Sequence, residues 1–196
     1  MSATARVGAV VLAGGRSSRF GRDKLAEPID GRPMLDHATD AVWVLAQEVI
    51  VVATPGSPLA PSGGVRIVTD PIAFEGPLAG LVTGLRAHEP TVDRVLVVGG
   101  DMPTLVPAVL DRMLQELDDH ELAVLADDER PRPLPMAIRR SAGLDAAERL
   151  LEDGERRLRA LLEVLETTVI PAAAWRTDDP EGATLRDVDE PGDLPG

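Results

Sequence analysis

The sequence predicts an α/β fold: a single-domain, Rossmann-like sheet that is doubly wound and mostly parallel. The chain has 196 residues, of which 44% are hydrophobic and 2% aromatic, so it is long enough to bury one aliphatic core. Short aliphatic runs alternate along it with segments of helical spacing, which is typical of strands joined by helices. Right-handed crossovers would place those helices on both faces of the sheet. We assign residues 1–196 to this one domain.

The first half of the chain shows this alternation clearly. Val7–Leu12 is a continuous apolar run, which is typical of a strand covered on both faces. Pro33 suits the first position of a helix, and helical spacing follows it to Ala46. The stretch 54–64 is rich in Pro, Gly and Ser and is predicted to be a loop. The other elements predicted here are strands at Glu48–Ala53, Val65–Thr69 and Arg94–Val98 and a helix from Gly76 to about Ala87.

The second half continues the pattern with weaker signals. Ser141 is predicted to cap a helix that ends near Leu151, and Gly154 to separate it from the next helix. The final residues, 190–196, are expected to form a frayed tail. The other predicted elements are helices at Pro107–Leu117 and Glu155–Glu163, a charged turn at Asp127–Pro133, and strands at Leu122–Ala126, Pro135–Arg139, Val169–Pro171 and Thr184–Val188.

Composition argues against several functional classes. The net charge of −13 disfavours nucleic acid and anionic membranes as partners, and the chain has too few aromatic residues to stack bases. It contains no cysteine, so disulfides, thiolate zinc sites and a cysteine nucleophile are excluded. No apolar run reaches membrane-spanning length, and the N-terminal run is interpreted as a buried strand rather than a signal segment. We expect a cytoplasmic protein.

The loop Leu12–Lys24 is the strongest functional signal. Lys24 is the only lysine among twenty basic residues, and it follows a glycine-rich turn. Glycines allow close approach of the backbone, turn-oriented N–H groups bind anions, and a lysine reaches phosphate on a flexible stem. The loop matches neither the Walker pattern nor the dinucleotide fingerprint. We therefore predict a phosphate-binding loop of another kind, whose basic residues are Arg16, Arg19, Arg22 and Lys24.

Carboxylates follow the predicted strands. Asp101 leaves the end of a buried strand and is predicted to bind Mg²⁺, a cation that prefers oxygen ligands; capping of the next helix is the alternative. Asp70 is expected to contact nucleotide, metal or the next loop. Asp187 and Asp189 would lie on the same side of a strand, as a second carboxylate pair or as part of a solvated tail. The ends of parallel strands meet at one edge, where ligands bind.

The segment 154–159 concentrates three arginines, which would hold a second anionic substrate or form a solvated helix face. Nothing in the sequence resembles a nucleophile paired with a base. The sequence therefore favours direct transfer at a phosphoryl centre, which depends on positioning and charge neutralisation.

Together these segments resemble the molybdenum cofactor guanylyltransferases, the MobA family, a single-domain branch of the sugar-nucleotidyltransferase-like superfamily. The loop Leu12–Lys24 is similar to the superfamily signature, and the resemblance runs in order over nearly the whole chain. The element Gly-Glu-Arg-Arg at 154–157 points to the molybdenum branch. The other similar segments are Gly76–Gly80, Gly100–Pro103 and Pro133–Arg139.

The resemblance implies a nucleotidyltransferase-type fold and transfer of GMP from Mg-GTP to Mo-molybdopterin, with release of pyrophosphate. It also implies delivery of the product to molybdoenzymes, with these or other cofactor-biosynthesis proteins as partners. We expect Arg19 and Gly80 to lie at the nucleotide site as well. The resemblance assigns guanine and phosphates to Leu12, Ala13, Gly14 and Gly15, phosphates to Lys24, nucleotide to Asp70, Mg²⁺ to Asp101 and the pterin substrate to Arg156.

One segment departs from the family pattern. Where the family typically has Asn-Val-Asn-Thr-Pro, this chain has Asp-Val-Asp-Glu-Pro at 187–191. The Asp-Val-Asp form occurs in the related cytidylyltransferase branch. Asp187 and Asp189 are assigned to the second substrate, and two alternatives remain open: a sibling enzyme that uses CTP or another phosphorylated acceptor, and a nucleotide-binding module without turnover.

Overall fold

A seven-stranded sheet and a separate two-stranded hairpin organise the structure, a computed structural model that describes residues 6–14, 24–59, 61, 63–70 and 76–194. In chain order, the strands are β1 (Arg6–Ala13), β2 (Pro28–Ile29), β3 (Arg32–Pro33), β4 (Glu48–Ala53), β5 (Arg66–Thr69), β6 (Val92–Gly99), β7 (Leu122–Asp127), β8 (Arg130–Arg139) and β9 (Thr167–Ile170). The hairpin consists of β2 and β3. The order in the main sheet is β5-β4-β1-β6-β8-β7-β9.

Most neighbouring strands of the main sheet are parallel. β5, β4, β1 and β6 run in one direction, and β9 is parallel to β7. Only β8 is antiparallel to its neighbours β6 and β7 within the described sheet. The chain moves from β1 to β4 on one side and later reaches β6 on the other, so the strand order reverses at β1. A crevice beyond the carboxyl ends of β1 and β6 is where such a sheet binds ligands.

Helices cover both faces of the sheet and bury two separate aliphatic clusters. One cluster contains Met34 and Leu110, and the other contains Leu78, Leu85 and Ala147. The predicted doubly wound, mostly parallel fold is confirmed. No helix among the described residues is long and apolar enough to cross a membrane. The α-helices are α1 (Met34–Trp43), α2 (Pro77–Ala87), α3 (Pro107–Glu116), α4 (Arg140–Glu152), α5 (Leu161–Val164) and α6 (Ala172–Trp175).

The predicted charged turn at Asp127–Pro133 is wrong, because β8 already begins at Arg130. Asp127 pairs with Arg130, which leaves a two-residue turn whose first residue, Asp128, has a φ of 52°. A positive φ at this position is typical of tight hairpins. The pairing register shifts between Val124 and Leu125, and the resulting irregularity accommodates the prolines of β8.

Two helix starts also differ from the prediction. Pro33 precedes α1 instead of opening it, since it pairs with Pro28 in the hairpin and has an extended backbone. Ser141 is the second residue of α4 and makes no capping bond, because β8 runs directly into this helix without a loop.

The predicted helix at Glu155–Glu163 is replaced by an irregular loop, a 3-10 turn at Leu158–Ala160 and the single turn of α5. The carboxylate of Glu155 accepts hydrogen bonds from the backbone N–H groups of Arg156 and Arg157, at 2.8 and 3.0 Å. Such local bonds offer the backbone an alternative to the helical ladder.

The predicted strand at Thr184–Val188 is wrong as well. Residues Ala183–Leu185 form a 3-10 turn instead. The carboxylate of Asp179 accepts hydrogen bonds from the backbone N–H groups of Ala183 and Thr184, at 3.0 and 2.7 Å, and these bonds cap the turn. A second 3-10 turn at Pro191–Asp193 lies within the predicted tail, and residues 195–196 lie outside the described part of the chain.

Candidate active site

The carboxyl ends of β1 and β6 are joined where the loop Leu12–Lys24 begins. The N–H of Gly100 donates to the carbonyl of Leu12 at 2.9 Å. A Cβ on Gly100 would lie 3.1 Å from Leu35 Cδ1 and 3.3 Å from Leu25 Cδ1, so the backbone here packs against side chains from the neighbouring loop and α1. A Cβ on Gly99 would collide with Oδ1 of Asp101. Gly99 therefore allows the Asp101 side chain to fold back over the end of β6.

The Lys24 side chain contacts the turn that follows this strand end. Its ammonium nitrogen donates to Asp101 Oδ2 at 2.7 Å and to the Val188 carbonyl at 3.0 Å. Oδ1 of Asp189 lies 3.5 Å from the same nitrogen. The Lys24 side chain is 16% exposed and that of Asp101 is 29% exposed, so this pair is shielded but still open to a ligand. The structure thus brings three predicted site residues together, because the carboxylates of Asp101 and Asp189 both lie near the ammonium of Lys24.

A C-terminal clamp, residues 179–188, holds the Val188 carbonyl in place. Thr104 Oγ1 donates to the Ala183 carbonyl at 2.8 Å, and Thr184 Oγ1 accepts from the N–H of Val106 at 3.2 Å. The N–H of Val188 donates to the Asp101 carbonyl at 2.9 Å. The clamp therefore fixes the C-terminal segment against the loop that follows β6.

Asp179 is the buried anion of this clamp. Burial opposes its ionisation, but hydrogen bonds from the backbone and side chain of Thr184 and from the N–H of Ala183 outweigh that effect and lower the pKa of Asp179. Sequence reasoning missed Asp179 and Thr184. The signal that was available is an Asp four to five positions before a short polar turn, a spacing that permits capping.

The Gly154–Arg157 loop, the segment that points to the molybdenum branch, packs against the start of α2. The N–H of Leu78 donates to the Arg156 carbonyl at 3.2 Å. Gly76 has a φ of 95°, and a Cβ there would approach the Cβ and carbonyl oxygen of Arg156 to 2.9 Å. The segments Gly76–Gly80 and Gly154–Arg157, which are far apart in the sequence, therefore meet at Gly76, where there is no room for a side chain.

Glu155 organises the side chains of that loop. It accepts from Nε of Arg157 at 2.9 Å and from a terminal guanidinium nitrogen of Arg157 at 2.8 Å. These side-chain bonds, together with the N–H groups of Arg156 and Arg157, lower the pKa of Glu155 to about 2. The Arg156 guanidinium donates to the carbonyls of Leu151 and Glu155, at 3.2 and 2.8 Å. Arg156 thus stabilises the end of α4 through one of its nitrogens.

The other predicted site residues that the structure describes are Gly80, Asp70, Asp187, Ala13 and Gly14. Gly80 lies on α2, where a Cβ would approach Leu12 Cδ2 to 3.4 Å, so α2 packs against the end of β1. Asp70 follows β5, and its N–H donates to the carbonyl of Ala53 at the end of β4. Asp187 is exposed. Ala13 and Gly14 continue β1 into the loop, whereas Gly15 and Arg19 lie outside the described residues.

Oxygen donors dominate the site. Within the described ranges, no group of three or more His, Asp or Glu side chains is arranged to hold a metal ion. The Lys24 ammonium is instead surrounded by two carboxylates and one backbone carbonyl. Carboxylates and carbonyls are hard ligands of the kind that Mg²⁺ accepts, with waters and phosphates completing its coordination.

Comparison with known proteins gives a consistent family assignment. The family model of the MobA-like NTP transferase domain matches residues 9–169. The chain is 33% identical over 159 residues to the molybdenum cofactor guanylyltransferase of Shewanella halifaxensis, covering 76% of this chain and 78% of that one. It is 31% identical over 191 residues to a probable molybdenum cofactor guanylyltransferase of Chloroflexus aggregans, covering 94% and 90% of the two chains.

A solved structure agrees with the fold. Molybdopterin-guanine dinucleotide biosynthesis protein A from Archaeoglobus fulgidus superimposes with a TM-score of 0.79 at 23% identity, over 95% of this chain and 94% of that one. The resemblance inferred from the sequence is confirmed, and so is nucleotidyl transfer as the class of activity. This chain therefore belongs to the family of proteins with a MobA-like NTP transferase domain.

Proposed function

We propose that this protein is a molybdenum cofactor guanylyltransferase, which transfers GMP from Mg-GTP to Mo-molybdopterin and releases pyrophosphate. The names of its relatives from S. halifaxensis and C. aggregans support this assignment. The observation that carries the proposal is the 2.7 Å contact between Lys24 and Asp101 at the reversal of strand order. The proposal places the activity in the cytoplasm, with molybdoenzymes or cofactor-biosynthesis proteins as partners.

The proposed reaction requires no side chain of the protein to act as a nucleophile or as a base. A phosphate oxygen of molybdopterin attacks the α-phosphorus of GTP, and the bond from that phosphorus to the oxygen bridging to the β-phosphate breaks. Pyrophosphate leaves, and the new phosphoanhydride joins GMP to the pterin. The attacking oxygen is already anionic, so no side chain must remove a proton from it. The protein contributes positioning and charge neutralisation.

The residues of the crevice are assigned to the nucleotide. Lys24 contacts the phosphates with a flexible ammonium. Backbone N–H groups of Leu12–Gly15 contact the guanine and phosphates, and Arg19 adds positive charge nearby. Gly80 supports this assignment by its packing next to Leu12, where a side chain would narrow the space beside the loop. Asp70 is assigned to the nucleotide from its position after β5.

The donor set fits a hard divalent cation, and Asp101 is the proposed ligand of Mg²⁺. Oxygens of Asp101, Val188 and Asp189 already converge on one positive charge, the ammonium of Lys24. When bound, Mg²⁺ would neutralise the negative charge of the triphosphate and of the departing pyrophosphate. Asp101 also positions Lys24, because the two side chains are hydrogen-bonded.

Arg156, Asp187 and Asp189 are assigned to the second substrate. The packing of the Gly154–Arg157 loop against α2 supports the position of Arg156 near the nucleotide crevice. The position of Asp189 supports its assignment, because its Oδ1 lies 3.5 Å from the Lys24 ammonium and 59% of its side chain is exposed. Asp187 is exposed two positions earlier.

A panel of nucleotides and one matched pair of variants test the proposal. Thermal shifts with Mg²⁺ and GTP, CTP, ATP or UTP rank the nucleotides, since a ligand stabilises the folded state according to its saturation. Transfer to Mo-molybdopterin is then measured for the wild type, Lys24→Ala and Arg32→Ala. We expect the largest shift with GTP and a loss of about 10²-fold or more in transfer for Lys24→Ala, on the scale of losing one group that stabilises transition-state charge. Arg32 forms an exposed ion pair with Asp40, so its removal should leave transfer intact.

Three outcomes would contradict the proposal in different ways. A larger shift with CTP would make the protein a cytidylyltransferase, as the acidic segment 187–189 would suggest. Full transfer by Lys24→Ala would remove the lysine from the mechanism. Binding of GTP without release of pyrophosphate would identify a nucleotide-binding module.

A further inference from the structure

The Lys24 ammonium is fully engaged by protein oxygens. It has three N–H donors, and three oxygens surround it: Asp101 Oδ2 at 2.7 Å, the Val188 carbonyl at 3.0 Å and Asp189 Oδ1 at 3.5 Å. The backbone that carries the Val188 carbonyl is tied to Asp101, since the N–H of Val188 donates to the Asp101 carbonyl at 2.9 Å. Three oxygen atoms of the protein itself therefore surround the ammonium.

Lys24 also occupies one of the two oxygens of the Asp101 carboxylate. The other carboxylate oxygen, Oδ1, lies over Gly99, at the place where a Cβ would stand. The second oxygen, Oδ2, accepts the 2.7 Å bond from Lys24. An ion that binds Oδ2 would therefore have to displace that ammonium or lie beside it.

The ammonium and a divalent cation cannot share Oδ2 favourably. Mg²⁺ binds oxygen at about 2.0–2.1 Å, so an ion on Oδ2 would lie within a few ångströms of the lysine nitrogen. Like charges that close repel strongly in a partly buried site. A phosphate group changes this balance, because its oxygens accept the lysine hydrogens and the flexible stem can turn toward them.

We propose that Lys24 blocks the metal site of the free protein, keeping the Asp101 carboxylate closed to a divalent cation until nucleotide phosphates draw the ammonium away. Metal and nucleotide then bind together, and the metal alone binds weakly. This inference rests on the proposed assignment of Lys24 to phosphates and Asp101 to the metal. It gives one side chain two opposite effects, weakening metal binding in the free protein and strengthening nucleotide binding.

Binding of Mn²⁺ without nucleotide tests the inference directly. Free Mn²⁺ is measured by electron paramagnetic resonance during titration of the wild type, Lys24→Met, Arg32→Met and the double variant Lys24→Met/Asp101→Asn. Arg32→Met is the matched control, because Arg32 also lies 2.7 Å from a carboxylate oxygen, that of Asp40, outside the crevice. Circular dichroism and thermal unfolding verify that each variant is folded.

We expect Lys24→Met to bind Mn²⁺ at least about tenfold more tightly than the wild type, because a like charge beside the ion has been removed. Arg32→Met should match the wild type, and the double variant should lose the gain. Binding of the Mn–GTP complex should weaken in Lys24→Met. Equal or weaker Mn²⁺ binding by Lys24→Met would overturn the inference, and so would an equal gain in Arg32→Met or in the double variant.

The Mn²⁺ titration and the transfer assay distinguish failure of the blocking role from failure of the proposed function. If Lys24→Met loses GMP transfer but its affinity for Mn²⁺ alone is unchanged, the blocking role fails while the guanylyltransferase assignment stands. If its Mn²⁺ affinity rises but the wild type transfers no GMP, the blocking role stands and the assignment fails.

Discussion

Lys24 Nζ lies 2.7 Å from Asp101 Oδ2, although 77 positions of sequence separate the two residues. The fold produces this contact through adjacent parallel strands, because β1 and β6 end side by side. The loop after β1 supplies the lysine and the turn after β6 supplies the aspartate. A cation and an anion from separate crossovers thus meet where the strand order reverses, and this relationship leads to the first prediction.

Asp101→Asn should impair catalysis far more than folding. The change keeps the shape of the side chain and removes its charge, so we expect GMP transfer to fall by about 10²-fold or more, the scale of losing one electrostatic catalytic group. The pair with Lys24 is partly exposed, and the free energy of unfolding should change by only about 1 kcal/mol or less. Steady-state kinetics and urea unfolding measure the two effects.

Asp40→Asn is the control for that change, because Asp40 is an exposed carboxylate paired with Arg32. It should leave both quantities near wild type. Retention of most transfer activity by Asp101→Asn would show that the carboxylate charge is not needed.

Two glycines of α2 should respond differently to alanine. A Cβ on Gly84 would lie 2.6 Å from Val10 Cγ1, so we expect Gly84→Ala to destabilise the protein by about 1–3 kcal/mol through overpacking. A Cβ on Gly80 would meet Leu12 and Val52 at 3.4 and 3.8 Å, which is ordinary contact. Gly80→Ala should therefore keep stability within about 1 kcal/mol, since alanine also favours the helix.

Urea unfolding compares the two variants, and GTP titration separates a second effect. If Gly80 borders the nucleotide, Gly80→Ala should weaken GTP binding without unfolding the protein. The packing argument would be wrong if Gly84→Ala were as stable as Gly80→Ala.

Thr184→Val should loosen the C-terminal clamp. Valine keeps the volume of this fully buried residue but cannot accept the hydrogen bond from the N–H of Val106. Valine also cannot donate to the buried carboxylate of Asp179, and leaving a buried polar group without its bond costs about 1–3 kcal/mol. We also expect reduced transfer, because Thr184 helps hold the segment whose Val188 carbonyl contacts Lys24.

Thr177→Val provides the comparison, since the hydroxyl of Thr177 is exposed and bonds the nearby carbonyl of Ala174. Its effect on unfolding should be within about 0.5 kcal/mol. If the clamp did not stabilise the protein, Thr184→Val and Thr177→Val would have the same small effect on the free energy of unfolding.

The sequence was sufficient for the parts of the fold that depend on local hydrophobic pattern. The run Val7–Leu12 became the buried core of β1, and Glu48–Ala53 became β4 with the predicted ends. The contact between the candidate site residues Lys24 and Asp101 agrees with the expectation that strand ends converge in a parallel sheet, while their roles stay a prediction.

Other features depend on contacts that no local pattern reveals. Thr184–Val188 was predicted as a weak strand, but the buried carboxylate of Asp179 accepts hydrogen bonds from the N–H groups of Ala183 and Thr184. Glu155 has high helix propensity, yet its side chain bonds the backbone of the next two residues. In both cases a side-chain to backbone bond overrides propensity. Asp187 and Asp189 consequently lie on an irregular segment, and only Asp189 was found near Lys24 among the contacts of the described residues.

Acid should destabilise the protein through His88, a buried residue at the opposite end of the sheet from the crevice. Its Nδ1 bonds the Glu48 carboxylate at 2.9 Å, and its ring leaves no room for a Cβ on Gly8. Among the described residues, its Nε2 is buried without a hydrogen-bond partner. Burial lowers the pKa of His88, and this effect outweighs the hydrogen bond to Glu48 that favours the proton.

The sign of the pH effect follows from these directions. The unfolded chain takes up a proton on His88 near its ordinary pKa of about 6.5, while the folded protein resists it. Stability is therefore full above that pH and falls as the pH drops below it, by at most about 1.4 kcal/mol per pH unit. Burial raises the pKa of Glu48, but hydrogen bonds from His88 and from the N–H of Glu89 outweigh burial, so the pKa of Glu48 is lowered from its ordinary value of 4.5. The folded protein therefore begins to lose further stability as the pH falls to about 4.5.

Urea unfolding at pH 8, 7, 6 and 5 measures this dependence. The wild type should lose stability between pH 7 and pH 5, and His88→Gln should flatten that part of the curve because glutamine does not titrate. His120→Gln is the matched control for the substitution itself, because His120 lies outside this contact and its ring bonds the carbonyl of Glu116. Parallel curves for the wild type and His88→Gln would show that His88 is not the group that links acid to unfolding.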